Sequence, residues 1–154
     1  NLGCFFNMKY VIRKMNNSDM TQILAMMKEF YVSDAVFTNG SVEIFENDFQ
    51  NCVNDNPYLE GYVFCVDEKI LGYAMIAKSF STEFGKQCIL FEDLFLKSEF
   101  RGNGIVPEFV EYIKNCYPDC VYRIEVEHEN THAVHVYKKL GFRELPYQEM
   151  VIAE

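Results

Sequence analysis

The stretch Leu94-Phe95-Leu96-Lys97-Ser98-Glu99-Phe100-Arg101-Gly102-Asn103-Gly104-Ile105-Val106 runs from an apolar strand through a polar, glycine-bearing turn into the start of a helix. Ile105, Phe109, Tyr112, Ile113 and Cys116 follow at helical spacing, Pro107 is tolerable in the first turn, and Pro118 stops the pattern, so a helix is predicted over about residues 104–116. Backbone N–H groups at such a turn point outward, and the helix dipole adds partial positive charge. That arrangement suits a phosphate or pyrophosphate. Two glycines also suit an ordinary loop, so the spacing alone leaves both readings open.

Working outward, Lys9 to Met15 reads as a first strand, and Asn16, Asn17 and Ser18 supply residues that cap a helix. Met20, Ile23, Met27, Phe30 and Tyr31 recur at helical spacing, as do Val42, Phe45, Phe49, Cys52 and Val53 after the break at Asn39-Gly40. Tyr31 and Phe37 fall at or beyond the end of the first helix, where a side chain can line a pocket. Asp55-Asn56-Pro57 closes the second helix. Three strands are predicted next, Tyr62 to Val66, Ile70 to Phe80 and Cys88 to Leu96, with links short enough for an antiparallel meander. Val121 to Glu127 is a further strand, Asn130 to Leu140 a helix closed at Gly141, and Val151-Ile152 part of a last strand. The order is strand, two helices, three strands, helix, strand, helix, strand.

The chain has 154 residues, enough to bury roughly 70% of the surface exposed on unfolding, so a core forms without a metal or disulfide. Asn1 to Asn7 lacks the makings of a signal peptide and is read as cloning-derived or disordered sequence, leaving a single domain over residues 8–154. Lys plus Arg number 14 and Asp plus Glu 23, a formal charge of −9. This argues against nucleic acid, whose phosphates demand a basic surface, and suits a cationic small molecule, although acid excess also keeps many proteins dispersed. The six cysteines include no CxxC pair, as expected of a reduced, cytoplasmic protein. Cys116 and Cys120 precede His128 and His132, but the alternating residues between hold the pairs about 20 Å apart at ~3.3 Å per residue, so no metal is expected. No apolar run reaches the length of a membrane span.

Two motifs together resemble a known family, the GNAT superfamily of acetyl-CoA-dependent N-acetyltransferases. Arg101, Gly104 and Val106 occupy the positions of its Arg/Gln-x-x-Gly-x-Gly/Ala signature, and Asn130-Thr131-His132-Ala133-Val134-His135-Val136-Tyr137-Lys138-Lys139-Leu140-Gly141-Phe142 looks like its Asn…Ala…Tyr…Gly-Phe element. The resemblance covers about Lys9 to Ile152. It implies an α+β fold with a mixed, largely antiparallel twisted sheet flanked by helices, and acetyl-CoA as the cofactor. The cofactor would lie along Leu94, Phe95, Leu96, Arg101, Gly102, Asn103, Gly104, Ile105, Val106, Asn130, Tyr137 and Lys139. Val106 departs from the pattern, since a branched side chain crowds the pyrophosphate unless it turns toward the core. Family members often form dimers, so a homodimer is an assembly the resemblance allows.

The strand Cys88-Ile89-Leu90-Phe91-Glu92-Asp93-Leu94-Phe95-Leu96 carries two carboxylates at its apolar centre. Burying them costs several kcal/mol unless they are paired or kept wet. A structural ion pair with Lys or Arg is one reading. The other follows from similarity to diamine (spermidine/spermine) N-acetyltransferases, whose strand has a Glu-Asp pair at these positions. An alkyl amine of pKa ~10.4 must lose a proton before attacking a thioester, and Glu92 is the candidate to bind the ammonium and accept that proton. The resemblance implies a backbone N–H near Leu94, at a splay or bulge, as oxyanion donor, and Tyr137 as the acid that protonates the departing thiolate. Asp93, Tyr31, Glu125 and Glu127 are candidates to line the acceptor site, and the two later glutamates also suit a solvated strand face. Tyr137 without this context reads as a core aromatic. A peptide α-amine or Lys side chain is the alternative acceptor, and a catalytically impaired GNAT-like binding module the alternative to an enzyme.

Overall fold

Five strands pair in chain order, β1-β2-β3-β4-β5, in a computed structural model that describes residues 9–33 and 40–153. The segment 1–7 and Phe37 lie outside the described residues. The elements are β1 (Val11–Lys14), α1 (Met20–Tyr31), α2 (Val42–Val53), β2 (Leu59–Val66), β3 (Lys69–Ser81), β4 (Lys86–Leu96), α3 (Ile105–Cys116), β5 (Val121–Ile124) and α4 (Thr131–Lys139). The first four strands are antiparallel in sequence, and β5 joins β4 in parallel after the α3 crossover. This is the α+β architecture anticipated.

Local chemistry explains the element starts. Asn16 accepts from the Ser18 amide, and its own amide donates to the Asp19 carboxylate, forming a capping box. A 3-10 turn over Asn17–Asp19 results, so the helix proper begins at Met20. Asp19 is buried and held by both terminal nitrogens of Arg13, at 2.8 and 2.9 Å. Ser41 caps α2 through the Ile44 amide, and Asn130 caps α4 through the Ala133 amide.

Alternation along the strands sends side chains to two cores. Val63 and Cys65 of β2 face α1 and α2 with Ile23, Met27, Phe45 and Phe49, whereas Tyr62 and Phe64 face α3 with Phe109 and Ile113. Phe109 is fully buried and meets the rings of Tyr62, Phe64 and Phe91 edge-on. Truncating such a ring to Ala costs about 3–5 kcal/mol.

Some boundaries move. β1 is shorter than Lys9 to Met15, and β5 ends at Ile124 rather than Glu127. Val151-Ile152 forms no strand: both side chains are largely exposed and the tail runs unpaired. Polar side-chain contacts, Tyr147 to Glu83 and Glu149 to Arg123, hold this segment instead of a ladder. Strand-forming residues make a strand only where a neighbouring backbone offers its N–H and C=O groups in register.

Candidate active site

β4 is where the sheet opens. Its parallel pairing with β5 stops at Phe91 and Ile124, while β4 continues to Leu96. On its other edge Met75 of β3 pairs with Asp93 and Ile76 with Phe91, leaving Glu92 as the extra residue of a β-bulge. The bulge inverts the strand's phase. Ile89 and Phe91 pack on the α3 side, as do Leu94 and Leu96, but Phe95 turns to the α1/α2 side. Lys97 N–H donates to Leu71 of β3 at 2.9 Å, so two-residue alternation turns the backbone of Leu94 and Leu96 away from β3, toward the gap that β5 leaves.

The turn after β4 faces the same gap. Gly102 and Gly104 have φ of 80° and 74°, a left-handed conformation that favours glycine, and a Cβ on either would have no neighbour within 4 Å. Gly104 caps α3, its carbonyl accepting from the Glu108 amide at 3.2 Å. Pro107 has no N–H, so Ile105 and Val106 are the first-turn residues able to present amides to a ligand. Arg101 Nε donates to the Leu96 carbonyl at 3.1 Å, anchoring the turn to the strand.

A cleft of about 1200 Å³ spans this region, lined by Leu94, Phe95, Leu96, Arg101, Gly102, Gly104, Ile105, Val106, Glu127, Asn130 and Tyr137. Acetyl-CoA fits these residues: open glycine backbone, helix amides and an arginine meet at one end, and an apolar strand edge runs along the other. Val106 is half-buried and lines the cleft, so it does not turn wholly into the core. Asn103 is folded back onto the Phe100 carbonyl, and Lys139 is exposed and does not line the cleft. Glu29, Glu127 and Glu129 bring negative charge to the lining and oppose an anionic ligand there.

Glu92 is exposed, yet its carboxyl is pushed up, first by desolvation and then by the charges of Glu125, Asp93, Asp48 and Glu149. Asp93 is 5% exposed and also raised by burial, against the opposing pull of hydrogen bonds from Tyr73 and Tyr31. Glu125 is raised by burial and by Glu149. Tyr137, half-buried and edge-on to Phe142, is raised by desolvation and so keeps its proton at neutral pH. Among the described residues, no three of His, Cys, Asp or Glu converge as a metal site, and no helix is long and apolar enough to cross a membrane.

Three participants are missing from the sequence reading. Asp48 of α2 is pushed up to about 6 by burial and by Asp93. The signal was available, for Asp48 interrupts the apolar stripe Phe45, Phe49, Cys52. Glu149 reaches Glu125 only because the tail folds back, and Tyr73 reads as an ordinary core aromatic of a buried strand. Neither left a local signal.

The sheet thus parts beside a glycine turn and a helix N-terminus, and the chain belongs to the Acetyltransferase (GNAT) family, whose model matches residues 20–142. Members of that family use acetyl-CoA, and this protein is an acetyl-CoA-dependent N-acetyltransferase. It is similar to a thialysine N-epsilon-acetyltransferase of Sus scrofa, with 27% identity across 90% of this chain and 87% of the relative. A possible acetyltransferase from Clostridium difficile 630 shares the fold with a TM-score of 0.80 at 19% identity, covering 94% of this chain and 97% of that one. A predicted acetyltransferase from Clostridium acetobutylicum, solved with acetyl-CoA, has a TM-score of 0.76 at 18% identity, covering 94% and 96%.

Proposed function

We propose that the protein acetylates the primary amine of a small cationic molecule, by direct attack of the amine in a ternary complex. The observation that carries this reading is Glu92: an exposed carboxyl on an unpaired bulge residue, raised first by desolvation and then by surrounding acids, next to the point where β4 and β5 part. Its acidic neighbours attract an ammonium group. A raised carboxyl is also a better proton acceptor than an ordinary one. The similarity to an enzyme named for an ε-amine of a lysine analogue supports a cationic amine as acceptor.

Acetyl-CoA supplies the acyl thioester. Glu92 takes the ammonium proton, directly or through one water, freeing the nitrogen lone pair. The Leu94 N–H, turned toward the gap, donates to the carbonyl oxygen as it gains charge. Tyr137, whose hydroxyl remains protonated, would give its proton to the sulfur as the C–S bond breaks, and the second proton lost by the nitrogen would restore the Tyr137 hydroxyl, directly or through water. Asn130 and Arg101 hold the two ends of the cleft in shape through the α4 cap and the Leu96 carbonyl.

The test is an acceptor screen that reports CoA release across polyamines, amino acids and short peptides, followed by Glu92→Gln on the best acceptor. Turnover of small di- or polyamines over peptides is expected, with Glu92→Gln depressing kcat/KM at neutral pH and recovering as pH rises. Preference for a peptide α-amine or a Lys-containing peptide would overturn the acceptor assignment. Wild-type kinetics of Glu92→Gln across the pH range would remove the proton-acceptor role.

A further inference from the structure

Glu92 and Asp93 are sequence neighbours with opposite surroundings. Asp93 Oδ1 accepts from the Tyr31 hydroxyl at 3.0 Å and Oδ2 from the Tyr73 hydroxyl at 2.8 Å, so each oxygen has a phenol donor. Among the described residues no Lys or Arg forms an ion pair with it. The donors come from separate elements: Tyr31 is the last residue of α1, and Tyr73, fully buried, lies in β3. Two neutral donors only partly offset the desolvation of a carboxylate, and a leucine would fill the site at lower cost. The acid therefore calls for an explanation other than packing.

The bulge supplies one. Were β4 regular through Glu92, with no residue bulged out, strand alternation would put Asp93 on the same face as Phe91, packed with Phe109 against α3 and away from Tyr31 and Tyr73. With the bulge at Glu92, Asp93 lies on the α1/α2 face beside both tyrosines. Sliding the bulge past Asp93 toward Leu96 would strip the carboxylate of its donors, whereas sliding it toward Cys88 would turn Phe91 out of the core against α3. We propose that Tyr31, Asp93 and Tyr73 form a positioning clamp that locks the bulge at Glu92, keeping the Glu92 carboxyl and the Leu94 N–H aimed into the gap, and that Asp93 is a positioning residue and not an acceptor ligand. The catalytic part of this rests on the reading of Glu92 given above.

Tyr73→Phe and Tyr31→Phe keep the rings, which pack on Phe30 and on each other's neighbours, and remove one donor each. In the unliganded full chain, hydrogen exchange of the Asp93 amide, which alternation turns toward Met75 of β3, is expected to quicken at least tenfold in Tyr73→Phe, with Cys88 and Ile89 unchanged. With acetyl-CoA and the acceptor from the screen, kcat is expected to fall about tenfold while the acceptor KM stays within twofold. The double variant is expected to lose less than the product of the single losses, because both act through one carboxylate. Tyr31→Phe, at a less buried ring, gives the same comparison should Tyr73→Phe fail to fold. A raised acceptor KM with unchanged kcat would make Asp93 a substrate ligand and overturn the clamp. A lowered Tm with wild-type kcat and amide exchange would reduce the clamp to a purely structural contact and overturn it equally. If Glu92→Gln is damaged but both phenylalanine variants are wild type, the clamp alone fails; if Glu92→Gln is itself wild type, the catalytic half falls with the reading beneath it.

Discussion

Lys78 Nζ lies 2.8 Å from Glu60 Oε1, a diagonal pair across the β2–β3 ladder with both side chains mostly buried. Tyr62 and Tyr117 also donate to Glu60, and Lys14 lies within 3.6 Å. Tyr117 follows the last turn of α3, so this carboxylate ties the helix end to the sheet. The pairing overcomes desolvation and holds the Glu60 carboxyl down at about 2. A depressed carboxyl contributes stability that is present above its ordinary value of 4.5 and lost as pH falls through about 2. Glu60→Gln is expected to lower stability at pH 7 by about 2–3 kcal/mol, since it leaves Lys78 without its counter-charge, with the gap to wild type closing as pH falls toward 2. Urea denaturation at several pH values checks this.

Asp48 has the opposite sign. Its carboxyl, pushed up to about 6 from an ordinary 3.8, contributes stability that is full below 3.8 and lost as pH rises through 6. Asp48→Asn is therefore expected to stabilise the protein by about 1–2 kcal/mol at pH 7 to 8, discounted for partial solvent access, and to give no gain below about pH 4. Thermal melts across that range read the effect. Removing this charge also lowers the Glu92 carboxyl, so the acid limb of the pH–rate profile should move to lower pH.

Tyr137→Phe keeps the ring against Phe142 and removes the hydroxyl. With general acid catalysis worth about 10²- to 10⁴-fold, kcat is expected to fall by at least 10² while acetyl-CoA affinity changes less than threefold. Single-turnover kinetics beside calorimetry separates the two. An unchanged chemical step would leave Tyr137 as a packing residue.

Val106 narrows the cleft beside the first α3 amides, so Val106→Gly is expected to bind acetyl-CoA as tightly as wild type or more so by calorimetry. A clear loss of affinity would mean that the valine methyls support the cofactor instead of crowding it.

Consecutive residues carried much of this protein's design in plain view. The strand, glycine turn and helix of Leu94 to Val106 are written in a change of apolar period from two to 3.6 around two glycines, and the structure puts a cleft there. Asn16, Ser41 and Asn130 stand at the helix starts because a short polar side chain satisfies amides only a few residues on. Such features depend on neighbours along the chain. The bulge at Glu92 does not: it exists because Met75 pairs with Asp93 and Ile76 with Phe91, a register set by the strand opposite. That one unpaired residue turns Asp93 inward to two phenols and leaves Glu92 exposed. Asp48 and Glu149 act on the same site from 44 residues before and 57 after Glu92. Periodicity and caps were thus legible in the sequence, while the side to which each carboxylate points, and hence which one meets solvent, was decided by strand pairing and by elements remote in the chain.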